Sequence, residues 1–326
     1  MRHWLRIRSL ICVFLAAGLA LCSVAANAQS YPSKPITIIV PFGPGSGTDI
    51  ITRIIGLRLG TVFNQSVIVE NKPGANGTIA ANLVARAAPD GYTLFMSTNT
   101  PHSAAPSLMK TINYDPVKDF VALSRVGSFT QMLLVHPSIP AKSIPELIAH
   151  AKANPGKLSF ASGNASSVVA GQTLKSWAVL DMLHVPDRSA PPAVQDVLGG
   201  RVSMLFTDLS TGLPHHRSGA LRGLATTRLV RSSLLPELPT LDESGVKGFD
   251  MDSWAGLFAP ANTPRNVVTR LNTELRKIIE TPEVKQQIAA TGFEAFSSST
   301  QELDEFVKAQ LVKWTRMIKE AGIQPE

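Results

Sequence analysis

Apolar and polar positions alternate between two periods along this chain. Ile36–Val40 is a β-branched run with the make-up of a buried strand. The following loop, Pro41 to Gly47, is too rich in proline and glycine for regular structure. A helix should start near Thr48 and Asp49, with Ile50, Ile51, Ile54, Ile55 and Leu59 on one face. Val67–Val69 reads as a second strand and Asn71–Gly77 as a second glycine-bearing loop. A helix from about Thr78 to Ala88, a turn at Pro89-Asp90-Gly91 and a strand Tyr92–Met96 follow. Strand, loop, helix and strand in this order imply a parallel sheet covered by helices.

The middle of the chain repeats the style. Met132–Val135 and Leu158–Ala161 are strand-like, and Ser143 with Glu146 forms a capping box for a helix ending near Asn154. Ser162–Ser167 reads as a polar loop, Val168–Leu180 as a helix, and Val202–Phe206 and Leu224–Thr227 as strands. The end is helical. Thr263-Pro264 and Thr281-Pro282 open two helices, and Ser299 with Glu302 caps the last. On that last helix Leu303, Phe306, Val307, Leu311, Trp314, Met317 and Ile318 form a buried stripe. Two α/β units with a helical tail predict two lobes. The run from Phe120 to Val135 is placed to cross from one to the other, and Phe249–Pro260 to return. A double crossing makes a hinge with a cleft.

Of 326 residues, 44% are hydrophobic, enough to fill the cores of one large or two ordinary domains. Arg2, Arg6 and Arg8 precede an apolar run from Leu10 to Leu21, and Ala26-Asn27-Ala28 closes it with small residues. That is the pattern of a secretory signal peptide, residues 1–28, cleaved after Ala28. Both cysteines, Cys12 and Cys22, fall inside it. The 31 basic and 24 acidic residues give +7, and loss of the three arginines leaves +4. No basic cluster interleaves with aromatics, so a nucleic-acid surface is unsupported. No other apolar run reaches membrane-spanning length, so a soluble periplasmic protein is expected.

Catalytic signatures are lacking. Ser46 is not in a nucleophile elbow, and Gly43-Pro-Gly-Ser-Gly47 has neither dinucleotide-loop spacing nor a P-loop lysine. The seven histidines are scattered without metal-ligand spacing. No catalytic residue, metal or cofactor is therefore expected. Asp49 reads as a helix cap. Asp208 follows a strand, where it either ties a loop or holds a ligand ammonium. Three loops after strands stand out instead: Gly45 to Thr48, Ser97 to Thr100, and Ser162 to Ser167. The first and third precede helices. Helix N-termini present unpaired N–H groups and partial positive charge, and glycine lets an anion approach them. Such loops hold an anion without transforming it.

These residues resemble the Bug receptors, the periplasmic solute-binding receptors of tripartite tricarboxylate transporters. The resemblance runs from Tyr31 through Ile39 to Asp49, then Val69 to Gly77, Pro89 to Leu94, Leu198 to Arg201, Gly219 to Thr226, Leu235 to Thr240 and Trp254 to Pro260. It implies an α/β, type II periplasmic-binding fold of two lobes with a hinge and an interlobe ligand cleft: lobe 1 over residues 29–128 and 252–326, lobe 2 over 129–251. It implies capture of a small organic carboxylate (a di- or tricarboxylate, an acidic amino acid or an aromatic acid) and its delivery to a two-component membrane permease by a monomer. The implied ligand-binding residues are Phe42, Gly45, Ser46, Gly47, Thr48 and Asp49 in the first loop, and Ser97, Thr98 and Asn99 after the next strand. In the second lobe they are Ser162, Gly163, Asn164, Ser166, Ser167 and Asp208.

The chain departs from the family pattern at Ser46, where a glycine is usual. The loop from Ser162 is one residue short, with Ala165 for glycine and Val168 for histidine. Asp187-Arg188-Ser189 replaces an aromatic-basic-glycine run. An apolar or uncharged ligand tail against Val168 and Val169 is one expectation from these changes. Two other functions fit less of the chain: a ligand sensor docking on a signalling protein, and a secreted hydrolase or lyase.

Overall fold

The computed structural model describes residues 31–325. The segment read from the sequence as a signal peptide, residues 1–28, lies outside the described residues, and with it Cys12 and Cys22. In chain order the main elements are β1 (Ile36–Val40), α1 (Gly47–Phe63), β2 (Val67–Asn71), α2 (Thr78–Ala85), β3 (Thr93–Thr98), α3 (Ala105–Leu108), β4 (Phe120–Val135), α4 (Ile144–Ala153), β5 (Leu158–Ser162), α5 (Ala165–Ala178) and β6 (Met182–Pro186). Then come α6 (Ala190–Leu198), β7 (Met204–Asp208), α7 (Leu209–Arg217), β8 (Arg222–Thr226), β9 (Asp252–Pro260), α8 (Arg265–Glu280), α9 (Pro282–Ala289), β10 (Phe293–Ala295) and α10 (Thr300–Glu320).

The strands join edge to edge in the order β2-β1-β3-β9-β4-β7-β5-β6, with β8 and β10 also pairing to β4. β1 pairs parallel with β2 and β3, and β5 pairs parallel with β6 and β7. These parallel ladders need helical crossovers, and the helices between them supply the covering layers. The long run without helix signals is a single 16-residue strand, β4. Its first part, Phe120–Thr130, pairs antiparallel with β9. Its last part, Gln131–Val135, pairs with β7 and β8. One strand therefore runs through both halves of the sheet, and β9 lies beside it. Residues 34–325 belong to one compact unit.

Apolar periodicity is realised as burial. On α1 the buried large apolar residues are Ile51, Ile55, Leu59 and Phe63, while Ile50 and Ile54 are only half-buried. On α10, Leu303, Val307, Trp314 and Ile318 are buried, and Phe306, Leu311 and Met317 pack at the margin. Some boundaries differ from the sequence reading. α5 begins at Ala165, not Val168, because Asn164 caps it. α8 begins at Arg265 with Pro264 at the cap position, one residue later than expected. α6 and α7 carry proline or glycine that hid them: Pro191 and Pro192 in the first turn of one, Gly212 and Pro214 inside the other.

Candidate functional site

The first loop is clamped from behind. Ser46 is the N-cap of α1, and its Oγ accepts the Asp49 amide at 3.3 Å. The Asp49 carboxylate accepts the Gly45 amide at 2.9 Å, Arg53 Nε at 3.1 Å and Asn71 Nδ2 at 2.9 Å. Burial raises its pKa, but these donors outweigh burial and hold the carboxyl below its ordinary range. Asp49 thus braces the loop. The front of the loop is different. Phe42, Ser46, Gly47 and Thr48 line a small hollow of about 20 Å³, the room of roughly one water molecule. No hydrogen bond among the described residues engages the Gly47 or Thr48 amides. They are the first two amides of a 17-residue helix, with the positive end of its dipole beneath them.

Gly47 is glycine for a steric reason. A Cβ there would stand 2.5 Å from Asp208 Oδ1 and 2.8 Å from Phe129 Cε1. Asp208 ends β7 and caps α7, accepting the Thr211 amide and Thr211 Oγ1, both at 3.0 Å through Oδ1. Its burial pushes the carboxyl upward against the effect of those two donors. Asp208 therefore both ties its turn and faces the hollow.

The second loop engages all but one of its own amides, that of Ser166 having no partner among the described residues. The Gly163 and Asn164 amides donate to Ser167 Oγ at 3.0 and 3.1 Å, and the Ser167 amide donates to Asn164 Oδ1 at 2.9 Å. This is a reciprocal capping box. The next amide, Ala165, donates to Thr100 Oγ1 at 3.2 Å. Gly163 is pressed against backbone, since a Cβ would lie 2.3 Å from the Ala190 nitrogen. Ser162 Oγ meets His184 Nε2 at 2.7 Å.

The loop after β3 links the two. Asn99 Nδ2 donates to Ser166 Oγ at 3.0 Å, Ser166 Oγ donates to Ser253 Oγ at 3.1 Å, and Ser253 Oγ donates back to Asn99 Oδ1. Ser97 Oγ meets His102 Nδ1 at 2.6 Å. His102 is fully buried, stacks on Phe258 with ring centroids 4.1 Å apart, and has no partner at Nε2 among the described residues. Burial takes its pKa down to about 3, so the ring is neutral.

Of the fifteen residues expected to bind ligand, Phe42, Ser46, Gly47, Thr48, Thr98, Asn164 and Asp208 line the hollow. Gly45, Asp49, Ser97, Asn99, Ser162, Gly163, Ser166 and Ser167 do not; they brace or cap the loops. Val168 and Val169 are not in the lining either, and Val169 belongs to the core. Five lining residues escaped the sequence reading: Thr100, Phe129, Gln131, Ala190 and Ser253. Phe129 and Gln131 lie on β4 and Ser253 on β9. The expected crossings point to these two strands, though to no individual residue on them.

A wider groove of about 440 Å³ adjoins the hollow and shares Phe42 and Asn164 with it. Asn76, Asp187 and Arg188 also line it. Asp187 Oδ2 has no hydrogen-bond partner among the described residues, and burial with the nearby Asp196 pushes its carboxyl upward. Among the described residues no three His, Cys, Asp or Glu side chains come together to hold a metal ion. The Ser97–His102 pair lacks the carboxylate that would orient its imidazole, and neither residue reaches the hollow.

A strand pair running through both halves of an α/β sheet, with a helix N-terminus open to a hollow beside it, defines a periplasmic-binding type of protein. Solved structures of that class match closely. The chain is 33% identical to the periplasmic binding protein BugD, with a TM-score of 0.87 over 91% of this chain and 100% of that one. It is 30% identical to Rpa4515 of R. palustris with adipate, at TM-score 0.89 over 91% and 100%. It is 28% identical to MatC of Rhodopseudomonas palustris with bound malate, at TM-score 0.83 over 88% and 100%. Residues 51–323 match the family model of the tripartite tricarboxylate transporter family receptor. The chain belongs to that family of solute-binding receptors.

Proposed function

We propose that this receptor captures a small organic carboxylate on the Gly47 and Thr48 amides and passes it, unchanged, to a two-component membrane permease from the periplasm. The observation that supports it best is the pair of donors at the start of α1, buried, facing a hollow and engaged by no acceptor among the described residues. An anion there gains two amide hydrogen bonds and the helix dipole. Adipate and malate in the two R. palustris neighbours are carboxylates of this kind. The chain is read as two lobes, residues 29–128 with 252–326 and residues 129–251, that close about β4 and β9 once a ligand bridges them. The N-terminal segment is read as a signal peptide cleaved after Ala28, which delivers a monomer to the periplasm.

Calorimetry of the purified mature chain against a broad panel of organic acids tests this reading. At a hundredfold excess over the dissociation constant, the cognate acid should stabilise the fold by about 2.7 kcal/mol. Each acid should be recovered intact. An unchanged melting temperature with every acid, or turnover of one, contradicts the reading.

A further inference from the structure

Opposite the α1 amides, the hollow offers acceptors. Gln131 stands on β4 directly across from Asp208 on β7 in the strand register. Its side chain lines the hollow, the residue is 1% exposed, and its Oε1 has no hydrogen-bond partner among the described residues. Asp208 is 6% exposed and lines the same hollow. Its Oδ1 lies 2.5 Å from where a Cβ on Gly47 would stand, so it sits against the start of α1. A buried acceptor left without a donor is unfavourable, and a carboxylate facing an incoming anion adds repulsion. A donor on the ligand removes both penalties together. Among the described residues no lysine or arginine lines the hollow to do so instead.

We infer that the ligand is a hydroxy acid or an amino acid whose hydroxyl or ammonium lies within one or two carbons of the carboxylate. The carboxylate rests on the Gly47 and Thr48 amides. The donor is shared between Gln131 Oε1 and the Asp208 carboxyl. This rests on the reading that the hollow takes a carboxylate, and it names the second half of what is recognised. Gln131 and Asp208 are then specificity-determining residues. They select against acids of the same length that lack the donor, because such an acid leaves Gln131 Oε1 unpaired and the Asp208 carboxyl facing an anion with no donor between them.

The test is titration calorimetry with matched triads: propionate, lactate and alanine; succinate, malate and aspartate; glutarate, 2-hydroxyglutarate and glutamate, with both enantiomers of each chiral acid. The expected result is that, in at least one triad, the hydroxy or amino member binds about tenfold or more tightly than the donor-free member. In Gln131→Met and Asp208→Asn, that ratio should shrink, chiefly through weaker binding of the donor-bearing acid. The wild-type ratio stands as a test even if a variant fails to fold. Equal binding across every triad overturns this inference and leaves the carboxylate reading intact. A ratio that survives both substitutions overturns the assignment to these two residues. Failure of every acid to bind overturns both readings.

Discussion

At the start of α1 and again at the start of α5, a strand runs into a short polar turn and a helix begins on a side-chain cap. Ser46 caps one and Asn164 the other. In the first turn the bracing groups, Asp49, Arg53 and Asn71, bond Gly45 and one another from behind. The Gly47 and Thr48 amides are left facing the hollow. In the second turn Ser167 folds back and takes the Gly163 and Asn164 amides, while Thr100 takes Ala165. Two helix N-termini of like composition thus differ in availability: among the described residues two adjacent amides, Gly47 and Thr48, are free at the first, and only that of Ser166 at the second. An anion held by a pair of donors needs two that nothing else has claimed, and Thr100 and the reciprocal capping box leave one.

Placing a side chain on the open turn should have the largest effect. Gly47→Val drives a Cβ into Asp208 and Phe129. Carboxylate affinity should fall by about a hundredfold or more, a loss of about 2.8 kcal/mol. The backbone at Gly47 is not left-handed, so circular dichroism should show the fold retained. Undiminished affinity would mean that the first turn is only a turn.

Acid comes next. The turn that fills the Ala165 amide is anchored by neutral, buried His102. Its pKa is about 3 in the fold against an ordinary 6.5. Between those values the unfolded chain binds a proton that the native chain does not. Stability should therefore fall as pH drops from 6.5 towards 3, by up to about 1.4 kcal/mol per pH unit. His102→Gln should remove that contribution to the slope in urea titrations. An identical slope in both proteins contradicts the assignment.

The smallest effect belongs to the closed turn. Ser167→Ala breaks the capping box and should cost about 1 kcal/mol of stability, with carboxylate affinity held within about twofold. A large loss of affinity would place the second turn in direct contact with ligand and erase the contrast between the two.

Much of the first turn was legible in the sequence. A β-branched strand, glycines at 45 and 47 and a Ser-x-x-Asp start announce a helix N-terminus with room for an anion. The second turn reads from sequence as a polar loop with the helix starting only at Val168, because Asn164 and Ser167 make a less familiar box than Ser with Glu. Once α5 starts at Ala165, Ser166 and Ser167 become first-turn residues and turn inward. Gln131 was illegible for another reason. It sits in a nearly continuously buried stretch of β4, and periodicity cannot tell which residue of a strand buried on both faces meets a cavity. Only the change of partners between Thr130 and Gln131, seen in the register, picks it out. Both Ser–His pairs were likewise invisible, since their members lie 5 and 22 residues apart in sequence without a recognisable motif.

A crystal structure of the mature chain with its acid bound tests the central claim most directly. The account predicts a carboxylate oxygen within hydrogen-bond distance of both the Gly47 and Thr48 nitrogens, with the Asn164–Ser167 box intact. A carboxylate seated instead on the Gly163 to Ser167 amides, with that box broken open, would contradict it.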